Sequence, residues 1–192
     1  MTQAMTLDNF GYLLDQVPLE LIHTINNDIN QVKRADNEMI SGLTRPGSAK
    51  HFYLRDSIKP LGDYVLGLAN IFNEKYNYLS SQKNLSHDTR FFVDKPWVNF
   101  QEASESIPNH SHGGFLSYTL WINLPEKSLF EFIYTNIIGN ICTHKISLTK
   151  SDEGKIIIFP APLPHCVYSF STAETRISVS GNIKFDTSQC ER

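Results

Sequence analysis

Long apolar runs are missing from this chain. The longest, such as Ile156–Phe159, fall far short of the ~20 residues that a membrane-spanning helix needs, which argues against a helical span. The opening residues, Met-Thr-Gln-Ala-Met-Thr-Leu-Asp, have neither the basic nor the apolar region of a secretory signal. Polybasic stretches are also absent. The 17 Lys+Arg against 20 Asp+Glu leave a net charge of −3, so the chain offers no strong electrostatic signal for nucleic acid. Cysteine is scarce: Cys142, Cys166 and Cys190 are odd in number and lack CxxC spacing, which indicates neither a disulfide framework nor a zinc finger. These absences describe a reduced, cytoplasmic protein.

What is present is ordinary in amount and uneven in arrangement. Hydrophobic residues at 41% and charged residues at 19% suit a globular chain, and 192 residues suit one domain that buries roughly 70% of its unfolded surface. From Pro18 to Val32 the residues Leu21, Ile22, Ile25, Ile29 and Val32 recur mostly at spacings of three and four, which predicts a helix. A second helix is predicted over Pro60–Tyr78 from the stripe Leu61, Tyr64, Val65, Leu68, Ile71, Phe72 and Tyr76. The polar stretches Asp36–Ser48 and Ser80–Thr89 read as loops.

After residue 90 the chain turns to β-branched and aromatic residues punctuated by Pro and Gly. Six strands are predicted: Phe91–Val93 or Val98–Gln101, then Phe115–Leu124, Leu129–Tyr134, Cys142–Thr149, Lys155–Phe159 and Arg176–Phe185, with Cys166–Phe170 able to pair as well. Close succession of short strands without intervening helical patterns argues for an antiparallel sandwich or barrel. The expected layout is a mainly β single domain over 1–192. Its helical support covers about 1–90, outside one sheet, and its β core about 91–187.

Of the seven histidines, His23, His51, His87 and His144 read as surface or satisfied side chains. His110 and His112 differ. They stand in Asn-His-Ser-His-Gly-Gly just before a strand, and residues two apart in an extended chain project to one side, so two imidazoles can grip one metal ion. By itself the pair also fits a turn with two exposed histidines. His165 is the candidate third ligand, fixed by the proline-stiffened turn Phe159-Pro-Ala-Pro-Leu-Pro164. Further on, Arg176-Ile-Ser-Val-Ser-Gly-Asn182 alternates so that Arg176, Ser178, Ser180 and Asn182 share one face. An arginine with a hydroxyl two residues away suits a carboxylate, although a solvated strand could carry the same pattern.

The segment from Trp97 to Phe185 resembles the double-stranded β-helix (jelly-roll, cupin-like) of 2-oxoglutarate/Fe(II)-dependent oxygenases, and within them the small oxygenases common in marine bacteria and their phages. The blocks that carry the resemblance are Trp97-Val-Asn99, His110-Ser-His112, Leu116-Ser117-Tyr118 through Pro125, Gly154 through Pro160 to His165, and Arg176-Ile-Ser178 through Asn182. They cover about half the chain, in the expected order. The resemblance implies a dioxygenase with Fe(II) on His110, His112 and His165. Its co-substrate, 2-oxoglutarate, is expected on Arg176 and Ser178. Tyr118 is expected to reach the same carboxylate if no bulge interrupts its strand, with Asn99 and Asn182 as further polar contacts. Oxidative decarboxylation to succinate would accompany hydroxylation of a C–H bond.

One departure stands out. The general pattern of that superfamily is His-x-Asp/Glu…His, and here His112 occupies the carboxylate position. Three histidines could form the site; His112 could be the first ligand with Gly114 at a vacant place; or another carboxylate could complete it. Halogenases of the superfamily lack the carboxylate, so a halogenase-type variant is a further alternative. A cupin-like metal protein or other non-oxygenase metalloenzyme, and a module without metal, are the others. The absence of a Glu between His112 and Glu126 favours the oxygenase over the cupin. Small molecules, protein side chains and nucleobases are all compatible substrates. Trp97, Trp121, Phe115, Tyr168 and Phe170 are candidates for the mouth.

Overall fold

A computed structural model describes residues 2–7, 9–34, 49–78 and 91–185. The predicted loops over Asp36–Ser48 and Ser80–Thr89 lie outside the described residues. Two helices and twelve strands make up the described fold: β1 (Gln3–Thr6), β2 (Gly11–Gln16), α1 (Leu19–Arg34), β3 (Lys50–Tyr53), α2 (Ile58–Tyr76), β4 (Phe91–Val93), β5 (Trp97–Gln101), β6 (Ile107–His110), β7 (Leu116–Asn123), β8 (Ser128–Thr135), β9 (Ile141–Leu148), β10 (Lys155–Pro160), β11 (His165–Val167) and β12 (Arg176–Phe185). No described helix is long and apolar enough to cross a membrane.

All pairings are antiparallel. The large sheet runs β1-β2-β10-β7-β12-β5-β3, with β4 paired to the far end of β12, and the small sheet runs β6-β11-β8-β9. Two sheets facing each other in this way form the antiparallel sandwich that the strand pattern predicts and the double-stranded β-helix that the resemblance implies. Both Phe91–Val93 and Val98–Gln101 are strands, where the sequence pattern poses them as alternatives. Strands β1, β2 and β3 were not predicted, so the N-terminal region contributes sheet as well as helix. Strand β6 was also missed, because Ile-Pro-Asn-His reads as a turn. Its proline is tolerated because, among the described residues, β6 pairs on one side only, with β11, which leaves no second ladder needing that missing N–H.

The two faces of the large sheet have different partners. Leu116, Tyr118 and Leu120 of β7, Ile156 and Ile158 of β10, and Val179 and Ile183 of β12 pack with Ile25 and Ile29 of α1 and Leu61, Val65 and Phe72 of α2. Residues of opposite parity face the small sheet: Trp121, Ile157 and Phe159 pack with Phe130, Phe132 and Val167. Each fully buried side chain of this kind stabilises the fold by roughly 1.5–3 kcal/mol. The buried stripe of α2 recurs every three to four residues, and the helix ends where Asn77 takes a left-handed conformation (φ 48°) and donates its N–H to the Asn73 carbonyl. With its helix face covered, the large sheet presents its other face to the small sheet, and the site lies between them.

Candidate metal and co-substrate site

His110 closes β6 and His165 opens β11, and the two stand directly opposite each other in the pairing of those strands. His112 follows two residues after β6, with its backbone N–H donated to the Ala161 carbonyl at 2.9 Å. The three rings converge: centroids are 4.8 Å apart for His110 and His112, 4.3 Å for His110 and His165, and 5.1 Å for His112 and His165. One ligand nitrogen from each lies within 4.8 Å of the others, a set that could hold a metal ion.

Two of these rings are aimed by the same device. His110 donates from Nδ1 to the Pro108 carbonyl at 2.8 Å, and His165 from Nδ1 to the Leu163 carbonyl at 3.0 Å, each two residues upstream. A carbonyl only accepts, so Nδ1 carries the hydrogen and Nε2 keeps its lone pair for the cluster. Burial, with the neighbouring His110 adding to it, pushes His112 down to about 4 and His165 to about 3. Those two rings are therefore neutral at physiological pH, the form that binds metal. Phe130 stacks on His165 at 5.4 Å, Phe159 meets its face edge-on at 4.8 Å, and Trp97 lies 5.8 Å from His112.

The histidines open onto a cavity of about 330 Å³ that is also lined by Trp97 and Asn99 of β5, Thr119 of β7, Phe130 of β8 and Arg176, Ser178 and Ser180 of β12. Arg176 is 2% exposed, and neither of its terminal nitrogens has a hydrogen-bond partner among the described residues. Burial pushes the guanidinium down to about 10, still charged at neutral pH. A buried cation costs several kcal/mol unless it is paired, so this guanidinium is suited to receive an anion from the cavity. Beside it, Asn99 Nδ2 donates to Ser178 Oγ (3.2 Å) and Ser180 Oγ (3.1 Å).

The structure thus gathers His110, His112, His165, Arg176, Ser178 and Asn99 around one cavity. It does not bring Tyr118 there. Tyr118 projects from the opposite face of β7 into the helix-side core, and its hydroxyl occupies the space that a Cβ on Gly181 would need. Counting parity from His112 requires unbroken extended chain, and the chain turns at Gly114 (φ 136°) before β7 begins. Thr119 takes the inward position instead. Asn182 also stands apart: it shares the alternation of Arg176 and Ser178, but lies beyond the cavity and accepts the Ser117 hydroxyl at 2.7 Å. Of the aromatic mouth candidates, only Trp97 lines the cavity. The sequence reading passed over His51, which is 8% exposed and lines the wall. Period-two alternation in Lys-His-Phe-Tyr could have marked its strand, but nothing local marks its position beside Asn99.

Residues 95–182 match the family model described as "Putative 2OG-Fe(II) oxygenase", a span that contains all three histidines and Arg176. This segment, just under half of the chain, is similar to the 2OG-Fe(II) oxygenases. The family consists of oxidoreductases that use Fe(II) and 2-oxoglutarate, and both the histidine cluster and the unpaired guanidinium are chemically suited to those two groups. A search of curated proteins returns no match. Among solved structures, the non-heme alpha-ketoglutarate-dependent epimerase SnoN from nogalamycin biosynthesis superposes with a TM-score of 0.66 at 14% identity, covering 90% of this chain and 76% of that one. A Pseudomonas putida prolyl-4-hydroxylase gives 0.63 at 14% identity, covering 90% and 92%. HygX from Streptomyces hygroscopicus, solved with nickel, 2-oxoglutarate and hygromycin B, gives 0.54 at 8% identity, covering 92% and 84%. At these identities the likeness is one of fold.

Proposed function

We propose that this protein is a 2-oxoglutarate-dependent dioxygenase that hydroxylates a C–H bond and holds Fe(II) on His110, His112 and His165. The observation that carries the reading is the buried guanidinium of Arg176, both terminal nitrogens without a partner among the described residues, in the same cavity as the three imidazoles. An arginine fork receives a carboxylate in two parallel charge-assisted bonds, and Ser178 stands ready as a further donor. Arg176 and Ser178 therefore bind the distal carboxylate of 2-oxoglutarate, which leaves its 2-oxo acid end for the metal. Bound Fe(II) supplies the oxygen activation that couples decarboxylation of 2-oxoglutarate to succinate with oxidation of the substrate.

The protein's own contribution is orientation and exclusion. The Pro108 and Leu163 carbonyls hold two imidazoles with Nε2 inward, while Trp97, Phe130 and Phe159 keep water from their flanks. His112 fills the carboxylate position with a neutral ring rather than leaving it empty. That supports hydroxylation over halogenation, which needs a vacant place for halide. Three neutral ligands balance less of the metal's charge than two histidines and a carboxylate would, so weaker metal retention is expected.

In this reading the chain acts as one domain in the cytoplasm. Among the described residues Cys142 and Cys166 are free thiols, which suits a reducing compartment. The substrate is a small molecule, or a side chain narrow enough to enter the cavity beside the co-substrate. Anaerobic titration with Fe(II) and then 2-oxoglutarate tests the proposal: a weak visible charge-transfer band supports it. Metal binding with no response to 2-oxoglutarate would favour a cupin-like protein. Succinate release against pooled metabolites, peptides and nucleosides would then identify the substrate class.

A further inference from the structure

His51 comes from β3, at the edge of the large sheet and outside the segment that matches the family model. In the β3–β5 register it stands directly opposite Asn99, and Asn99 stands opposite Ser178 across β5–β12. Three strands therefore place His51, Asn99 and Ser178 in one row along the cavity wall. Its Nδ1 is hydrogen-bonded to Asn99 Oδ1.

The direction of every bond in this row is fixed by its ends. Asn99 Nδ2 lies 3.3 Å from the Ser178 carbonyl, which only accepts, so the amide nitrogen must face β12 and the amide oxygen must face His51. Oδ1 also only accepts, so His51 Nδ1 carries the hydrogen. Asn99 Nδ2 in turn donates to the hydroxyls of Ser178 and Ser180. A hydroxyl that accepts from Asn99 has its own hydrogen left to donate. For Ser180 the neighbour is Thr119 Oγ1 at 3.3 Å. For Ser178 no acceptor exists among the described residues, and its hydroxyl lies on the cavity wall two residues from Arg176.

We infer that His51 is a positioning residue for the co-substrate: through Asn99 it turns the Ser178 hydroxyl into a second donor beside Arg176. The inference rests on the reading that Arg176 receives the 2-oxoglutarate carboxylate. Without His51 the Asn99 amide can rotate, its nitrogen no longer holds Ser178 as an acceptor, and the hydroxyl hydrogen is free to point elsewhere. The effect should fall on 2-oxoglutarate affinity and leave the metal alone.

Calorimetric titration of 2-oxoglutarate into Mn(II)-loaded protein tests this. His51→Phe, and His51→Leu should the first not fold, are expected to raise the 2-oxoglutarate Kd about five- to tenfold with the Mn(II) Kd unchanged. His51→Asn, which keeps an N–H where the ring's Nδ1 stood, should restore it to within about twofold. In a Ser178→Ala background, His51→Phe should add nothing, because the hydroxyl through which it acts is gone. Wild-type affinity in both apolar variants, or an undiminished effect of His51→Phe on top of Ser178→Ala, overturns the inference. Arg176→Met separates the two layers. If it leaves 2-oxoglutarate binding intact, the carboxylate reading itself fails. If it abolishes binding while the His51 variants do not matter, only the relay fails.

Discussion

His165 faces His110 across the β11–β6 ladder, and each ring is tied by Nδ1 to the carbonyl two residues before it. Two short proline-containing segments, Pro108-Asn109-His110 and Leu163-Pro164-His165, thus aim their Nε2 atoms toward one point through contacts of the chain itself. Pre-aimed ligands lose little freedom on binding. Replacing His165 by Ala should weaken Fe(II) or Mn(II) binding by more than about 100-fold, and His110→Ala should do likewise. Metal content after dialysis, measured by atomic emission, checks both. Stoichiometric iron in either variant would place the ligands elsewhere.

Arg176 sets function against stability. A guanidinium that is 2% exposed, with neither terminal nitrogen paired among the described residues, carries a desolvation cost unless an anion meets it. Arg176→Met keeps the apolar stem and removes the charge. The variant, free of metal and co-substrate, should gain about 1–3 kcal/mol against urea unfolding. It should also lose 2-oxoglutarate affinity by more than about 100-fold, since two charge-assisted bonds go with the fork. Urea melts and calorimetry on the same preparation measure both. Loss of stability in the ligand-free variant would mean that the guanidinium has a partner in the resting protein.

The contrast between Arg176 and Tyr118 shows how far the sequence carries this site. Within β12, uninterrupted alternation places Arg176 and Ser178 on one face, and that parity is legible from the residues alone. Histidines 110, 112 and 165 are legible through their order and their proline-bounded turns. Tyr118 is not, because the count from His112 crosses the turn at Gly114, where extended parity is lost. His51 is illegible for another reason: its place in the wall depends on pairing between residues 51 and 99, a long-range register with no local signature. Strands β1 and β3, four residues each at or near a sheet edge, are similarly too short to stand out.

Tyr118 supplies its own test. Its buried hydroxyl has no hydrogen-bond partner among the described residues and lies against Gly181 on the helix side of β7. Tyr118→Phe should therefore leave 2-oxoglutarate affinity within about twofold of the parent and cost no stability, because an unsatisfied polar group is removed. Gly181→Ala should destabilise by about 1–3 kcal/mol, since the added Cβ meets the Tyr118 ring. Combining it with Tyr118→Leu should recover part of that loss, a coupling that urea melts of the double-mutant cycle would reveal. Independent, additive effects would show that the two side chains do not oppose each other.

The depressed basicity of the histidine cluster predicts a pH dependence that can be separated from that of the carboxylates. His112 is pushed down to about 4 and His165 to about 3, against an ordinary 6.5, by burial and by His110. As pH falls below 6.5 the unfolded chain takes up protons on both residues while the folded protein does not. The unfolded state then binds more protons, so the metal-free protein loses stability as pH drops, by up to about 1.4 kcal/mol per pH unit per ring, until each folded ring titrates near 4 or 3. Carboxylates such as Asp152, held below their usual range by Lys155 and the Thr149 backbone, act in the same direction only at lower pH. The interval from pH 6.5 to 5 therefore isolates histidine. Urea unfolding of chelator-treated protein across that interval should show the slope, and a His112→Asn/His165→Asn variant should lose most of it. A slope that survives both substitutions would assign the proton uptake to other histidines, with His51, also lowered by burial, as the next to replace.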